Sequence, residues 1–293
     1  MRDDTPSYWR SRLPDARQSS TGLRPAHDPH VDLLESVLKL RNRVILITGG
    51  TSGIGRELAA QLLERENTVI VTGRDSAGLE QTRTALPGVH VFQSDVSECG
   101  AIVRLHAVVT RQFPTLDVLI NNAGIMRSLD MNTPRDLTDL TREIDVNLSG
   151  PLRMIQQFLP HLKRQPEAAI INVSSALAFM PLPLSPVYSA TKAALHAFTL
   201  ALRIQLEETN VKVIELAPPG VDTPLLHRAF AAALKGQQGM DVQSLARITI
   251  AAIEADKLEI RPGLSNLLKI MSRLAPQLML RRMARMSMRQ SSR

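Results

Sequence analysis

The sequence predicts a doubly wound parallel α/β sheet, Rossmann-like, in a single domain with helices on both faces. Three observations carry this. Short aliphatic runs alternate with helix-like segments from Arg43 to Ala217. The runs are continuously apolar rather than alternating with polar residues, as strands covered on both faces must be. A glycine-rich turn, TGGTSGIG at 48–55, joins the first run to the first helix, the usual order of a nucleotide-binding βαβ unit.

Each element follows in order. RVILIT (43–48) reads as a strand and RELAAQLLERE as the helix after it. TVIVT (68–72), a helix near 76–85, VHVF (89–92), a helix near 98–112 and LDVLI (116–120) repeat the pattern. A long helical stretch near 134–164 leads to AAIINVS (168–174), then to a helix from Pro186 to about 208, then to VKVIELA (211–217). LEIRPG (258–263) reads as a shortened last strand. The loop at about 222–243 contains LLHRAFAAALKG and suggests a largely apolar substrate wall. No second alternating block and no internal repeat appears, so residues 36–275 are read as one domain. Residues 1–35, with Pro6, Pro14, Pro25 and Pro29 among Ser, Asp and Arg, show no period and read as a flexible extension. Residues 276–293 read as a basic tail.

Composition narrows the class. The 293 residues are 44% hydrophobic but only 3% aromatic, so aliphatic side chains must build the core. Cys99 is the one cysteine, which excludes an internal disulfide and a cysteine-based zinc site. No metal site is expected. No run of about 20 apolar residues suggests a transmembrane helix, and the polar N-terminus lacks the apolar segment of a secretory signal. A cytoplasmic protein is expected. The net charge of +7 is uneven: residues 261–293 hold eight Lys or Arg and no Asp or Glu. The apolar positions Leu267, Leu268, Met271 and Leu274 are expected to cover a core or a substrate cleft, and the arginines behind them to be solvated. Membrane-surface contact by this tail is the less favoured reading, and no nucleic acid is expected.

The glycine turn points to an anion. Gly49, Gly53 and Gly55 let the backbone approach a ligand, and the free N–H groups where the helix begins form a phosphate site. The backbone of Thr51, Ser52 and Ile54 belongs to the same cradle. The spacing is Gly-x-x-x-Gly-x-Gly, not the G-x-G-x-x-G of the dinucleotide fingerprint. A second signal lies in PVYSATKAALHAF (186–198), where Tyr188 and Lys192 are four apart and share a helix face. An ammonium beside a phenol favours the phenolate, which suits a proton-trading tyrosine.

TGxxxGxG, then NNAG at 121–124, then a strand ending in Ser174, then Tyr188 and Lys192: this order resembles the short-chain dehydrogenase/reductase family over roughly residues 40–260. PEAAIINVSSALAF, YSATKAALH, VIELAPPGVDT and MSRLAP resemble its DltE-like branch. The resemblance implies a seven-stranded doubly wound sheet, NAD(H) or NADP(H), a small carbonyl or alcohol substrate, and a homodimer or homotetramer. It implies Tyr188 as general acid/base, Lys192 lowering its pKa and holding the nicotinamide ribose, Ser174 orienting the substrate oxygen, and Asn147 supporting a water relay. It implies Asn122, Ala123 and Gly124 near the adenosine, Asp95 and Val96 at the adenine, and Val221 and Thr223 at the nicotinamide amide. Aligning on VDT puts Pro219 where the family has glycine, which leaves that loop's shape open. Arg74, after the second strand, can pair with a 2′-phosphate, so NADP(H) is favoured and NAD(H) is the alternative. Asp75, next to it, could reverse that preference. From another class, a non-catalytic NADP(H)-binding sensor or scaffold is the competing function. The complete set of Asn147, Ser174, Tyr188 and Lys192 argues against it.

Overall fold

Aliphatic strands placed side by side bury both faces of a sheet, and helices must then cover both. The computed structural model has this form. It describes residues 38–230 and 239–291, all within one unit spanning 37–293. The extension expected at 1–35 and positions 231–238 of the expected substrate loop lie outside the described residues.

The strands are β1 (Val44–Thr48), β2 (Thr68–Gly73), β3 (His90–Gln93), β4 (Leu116–Asn121), β5 (Ala168–Val173), β6 (Val211–Leu216) and β7 (Glu259–Ile260). All pair in parallel, in the order β3-β2-β1-β4-β5-β6-β7. The short last strand expected from LEIRPG is present as two residues. The helices are α1 (Gly53–Leu63), α2 (Ser76–Ala85), α3 (Cys99–Gln112), α4 (Leu137–Ile144), α5 (Gly150–Leu162), α6 (Pro186–Gln205), α7 (Pro224–Phe230), α8 (Val242–Glu254), α9 (Leu264–Leu274) and α10 (Pro276–Ser291).

Two apolar layers result. One joins α1, α2 and α8 to the sheet through Leu58, Leu62, Leu79 and Ile250. The other joins α3, α5 and α6 through Leu105, Val109, Phe158 and Leu202. Phe158 is fully buried, a contribution of about 2–3 kcal/mol from apolar burial. The strand order reverses between β1 and β4. A crevice therefore opens at the C-terminal ends of these strands, where open α/β sheets bind ligands.

Two expectations are corrected. The helical stretch expected at 134–164 begins at Leu137 and is broken by a π-helical turn, Asp145–Ser149, between α4 and α5. Leu267 and Leu274 of α9 do not cover a core: they are exposed, and Leu268 and Met271 are half-buried. The reason is that α9 turns its polar side inward, with Ser265 fully buried and Lys269 donating to Glu259 at 2.9 Å.

Candidate active site

The glycine turn wraps over the end of β1 as its residue types require. Gly49 has φ +66°, and a Cβ there would lie 2.7 Å from Ala123 Cα. Only glycine permits both the left-handed backbone and that approach. The two segments are then tied together. Asn122 Nδ2 donates to Thr48 O (2.9 Å) and Gly49 O (3.0 Å), while the Asn122 and Ala123 amides donate to Thr48 Oγ1 at 3.1 Å each. Thr48 thus joins the glycine turn to the NNAG segment, a role the sequence reading missed. At the start of α1, Ser52 occupies the cap position, but its side chain makes no capping hydrogen bond. The first turn of α1, Gly53, Ile54 and Gly55, thus starts beside Thr51 and Ser52 without a side-chain cap. That suits a pyrophosphate, so the cradle fits a dinucleotide.

The next helix is capped differently. The Asp75 carboxylate accepts from the Ala77 and Gly78 amides at 3.2 and 2.9 Å, so it is committed to α2. Arg74 is about half exposed and lies 3.8 Å from Asp95 through Nε. Asp95 also accepts from the amide and hydroxyl of Ser97. Val96 is buried against the other apolar layer, next to Gly150. Thr223 is buried, its Oγ1 donating to Val221 O at 3.2 Å, and its methyl faces Gly53. Thr223 thus meets the glycine turn, and Val221 is held beside it through that hydrogen bond. Pro219 does not block the loop: Pro218 O still accepts from the Ala176 amide, and Gly263 passes beside Pro219.

Tyr188 and Lys192 sit in α6 with the phenol and ammonium both buried, Lys192 Nζ 5.7 Å from the ring centroid. Lys192 Nζ donates to Val173 O at 2.8 Å. Burial pushes the Lys192 pKa down to about 8. Burial pushes the Tyr188 phenol up to about 12, with the Ser175 hydroxyl acting to lower it and Glu143 to raise it further. Desolvation, rather than the expected neighbouring ammonium, governs the phenol, which is held protonated. Asn147 lies in the π-helical turn, a common setting for functional residues. It clamps Ile125, accepting from its amide and donating to its carbonyl at 2.8 Å each, and donates to Thr191 Oγ1 at 3.2 Å. A Cβ on Gly124 would lie 3.3 Å from Asn147 Oδ1 and 3.7 Å from Lys192 Nζ, so those two side chains face one small space.

Ser174 is the correction at this site. Its hydroxyl donates to Glu215 Oε1 at 2.5 Å, away from the phenol. The serine whose hydroxyl acts on the Tyr188 phenol is Ser175; its Oγ accepts from the Leu177 amide. The cause is strand alternation. Pairing with β6 continues past β5 through the Ser174 and Ala176 amides, so Ser174 shares a face with Asn172 and Ser175 takes the opposite one. Glu215 pairs with Asn172 across the sheet. Its other oxygen meets His196 Nδ1 at 2.8 Å. Burial opposes its ionisation, but hydrogen bonds from His196 and Ser174 prevail and hold its pKa below the usual value. The sequence reading missed Glu215 and His196. The signal was a carboxylate inside the apolar run VKVIEL, which must be paired when buried. Around Tyr188 the walls are apolar: Met126, Leu177, Leu182, Leu184, Leu225 and Leu226.

Among the described residues no cluster of His, Cys, Asp and Glu could hold a metal ion, and no helix is long and apolar enough to cross a membrane.

Known proteins resemble this chain in sequence and fold. The chain is 44% identical over 210 residues to the uncharacterized oxidoreductase DltE of Bacillus subtilis (strain 168), covering 71% of this chain and 81% of that protein. A short chain dehydrogenase from Burkholderia cenocepacia J2315, solved in complex with NADP, superposes with a TM-score of 0.73 at 27% identity, over 84% of this chain and 99% of that one. The 3-ketoacyl-(acyl-carrier-protein) reductase of Brucella melitensis, complexed with NADH, gives 0.68 at 26% identity, over 76% of this chain and 98% of that one. Residues 43–233 match the short chain dehydrogenase family. With its seven-stranded parallel sheet, its glycine cradle and a relative this close, the chain belongs to the short-chain dehydrogenase family of oxidoreductases.

Proposed function

We propose that this oxidoreductase transfers a hydride between NADP(H) and a carbonyl/alcohol pair, with Tyr188 as general acid/base. The observation that carries this reading is the buried Tyr188 phenol, held protonated beside Ser175 and Lys192 at the end of the glycine cradle. A bound nicotinamide supplies the hydride in reduction and accepts it in oxidation. In reduction Tyr188 gives its proton to the carbonyl oxygen, and in oxidation it takes the proton back. Ser175, rather than Ser174, donates a hydrogen bond to that oxygen. Lys192 stabilises the phenolate left behind, and Asn147 fixes the backbone at Ile125 and the space where a water could reach Lys192. The apolar walls favour a substrate that is largely hydrocarbon next to its carbonyl. A panel of such compounds, followed by loss of NADPH and NADH absorbance, tests the reading. Turnover that survives intact in a Tyr188→Phe protein would sink it.

The NADP(H) preference rests on Arg74. Its rival Asp75 is occupied as the cap of α2, and its contact with Asp95 at 3.8 Å is long for an ion pair. A guanidinium is free to make two charge-assisted bonds to a 2′-phosphate. A partly exposed pair of that kind contributes about 1–3 kcal/mol, roughly a 5- to 150-fold preference. Arg74→Ala should weaken NADPH binding by that factor and NADH binding hardly at all. Equal losses in titrations of the two cofactors would reject the role.

Self-association is proposed through α5 and α6. Leu152, Ile155, Leu159, Phe198 and Leu202 line a surface groove between α3, α5 and α6. Covering it with a second copy yields about 25 cal/mol per Å² before association costs. Sedimentation at micromolar concentration should give a dimer or tetramer. A monomer alone would refute this.

A further inference from the structure

Helix α9 is built inside out. Ser265 is fully buried, and Lys269 lies over the Phe179 ring and bonds Glu259. The side turned to solvent carries Leu264 (65% exposed), Leu267 (53%) and Leu274 (76%), with Met271 half-buried on the same face. These positions recur at i, i+3, i+7 and i+10, which is one stripe of a helix. After Pro276 the chain continues as α10, where Leu278 is 67% exposed. A surface helix normally points such a stripe inward, and a contiguous exposed one marks a contact site.

Charge decides what covers it. Residues 261–293 carry eight Lys or Arg and no Asp or Glu. Arg261 and Lys269 are occupied by Glu259. Arg273, Arg281 and Arg282 are exposed, and the sequence adds Arg285, Arg289 and Arg293. Two copies laid face to face here would bring like charges together with no acidic residue in either segment to offset them. A nucleic acid would satisfy the arginines and leave the leucines in water. A surface that offers hydrocarbon and negative charge together satisfies both. We propose that α9 and α10 dock on an anionic lipid bilayer, with the leucine stripe entering the boundary of the acyl layer and Arg281 and Arg282 lying among the headgroups. Helix α9 also packs on the turn Ala176–Ala178, directly after Ser175. Docking would therefore hold the apolar pocket of Tyr188 near the lipid surface. This departs from the solvated tail expected from the sequence, because spacing alone does not reveal which side of α9 faces out.

The test uses the full chain, floated with phosphatidylcholine vesicles and with vesicles that also contain phosphatidylglycerol. It does not depend on turnover, so it stands or falls apart from the catalytic reading. Binding should require phosphatidylglycerol and weaken with added salt. Arg281→Ser and Arg282→Ser should each weaken it about fivefold. Leu274→Ser should weaken it about tenfold without shifting the thermal midpoint, since the side chain is already in water. Equal binding to both vesicle types, or none to either, overturns the proposal. So does a Leu274→Ser protein that floats like the wild type but sediments as a smaller oligomer, because a second copy would then own the stripe.

Discussion

Replacing Tyr188 by Phe should lower turnover by roughly 10²–10⁴-fold, the usual worth of a positioned general acid, while leaving NADPH affinity nearly unchanged. The ring keeps its packing against Met126 and the leucines around it, so the cradle is undisturbed. What is lost is a proton held ready by burial, with the pKa near 12 keeping it in place at neutral pH. The neighbouring serines should separate in the same assay. Ser175→Ala should cost up to about 10²-fold in turnover, as removal of one hydrogen-bond donor to a reacting oxygen does. Ser174→Ala should change turnover little and stability by about 1–2 kcal/mol, because Glu215 loses one donor while His196 remains. Steady-state kinetics with cofactor titration and urea melts on the three proteins would check this. Larger damage to turnover from Ser174→Ala than from Ser175→Ala would reverse the assignment.

Gly55→Ala should strike both the fold and cofactor binding. A Cβ there would lie 2.3 Å from Asn122 Nδ2 and 2.6 Å from Gly49 O, far inside contact distance. Asn122 would have to leave, and with it the two bonds to Thr48 O and Gly49 O. Overpacking costs about 1–3 kcal/mol and the stranded carbonyls add about 1 kcal/mol each. A loss of about 3 kcal/mol in urea denaturation is expected, with NADPH affinity reduced at least tenfold by the displaced turn. A protein of unchanged midpoint and affinity would show that the turn yields more easily than these distances imply.

The sheet was legible because strands buried on both faces must be continuous apolar runs. RVILIT, TVIVT, LDVLI and AAIINVS each became a strand within a residue or two of the expected ends. The glycine turn was legible because its positions follow from backbone geometry. What spacing could not supply was direction. Ser174 and Ser175 are adjacent and chemically identical, and only the parity of pairing with β6 tells which faces the phenol. Arg74 and Asp75 are adjacent too, and the capping of α2 separates them. The expected tuning of Tyr188 by Lys192 weighed charge against nothing, whereas burial of both groups sets the balance. In α9 the period was read correctly and its outward side was not, since a helix period carries no reference to the core.

The π-helical turn at Asp145–Ser149 has a consequence for chain length. An α-helix advances about 100° with each residue, and a π turn accommodates one residue more than an α turn does. Upstream of its end, Asn147 must face Ile125 and the space beside Lys192. Downstream, Met154, Phe158 and Leu162 must face the sheet, where all three are fully buried. In a regular helix Asn147 and Met154, seven residues apart, would point within about 20° of each other, and the extra residue of the π turn lets them face different partners. Removing one residue between Asn147 and Met154 would leave a smoother helix and rotate one set by about 100° away from its partners. This segment is therefore constrained in its count of residues as well as in their identity, and insertions or deletions that a surface loop absorbs have no room there.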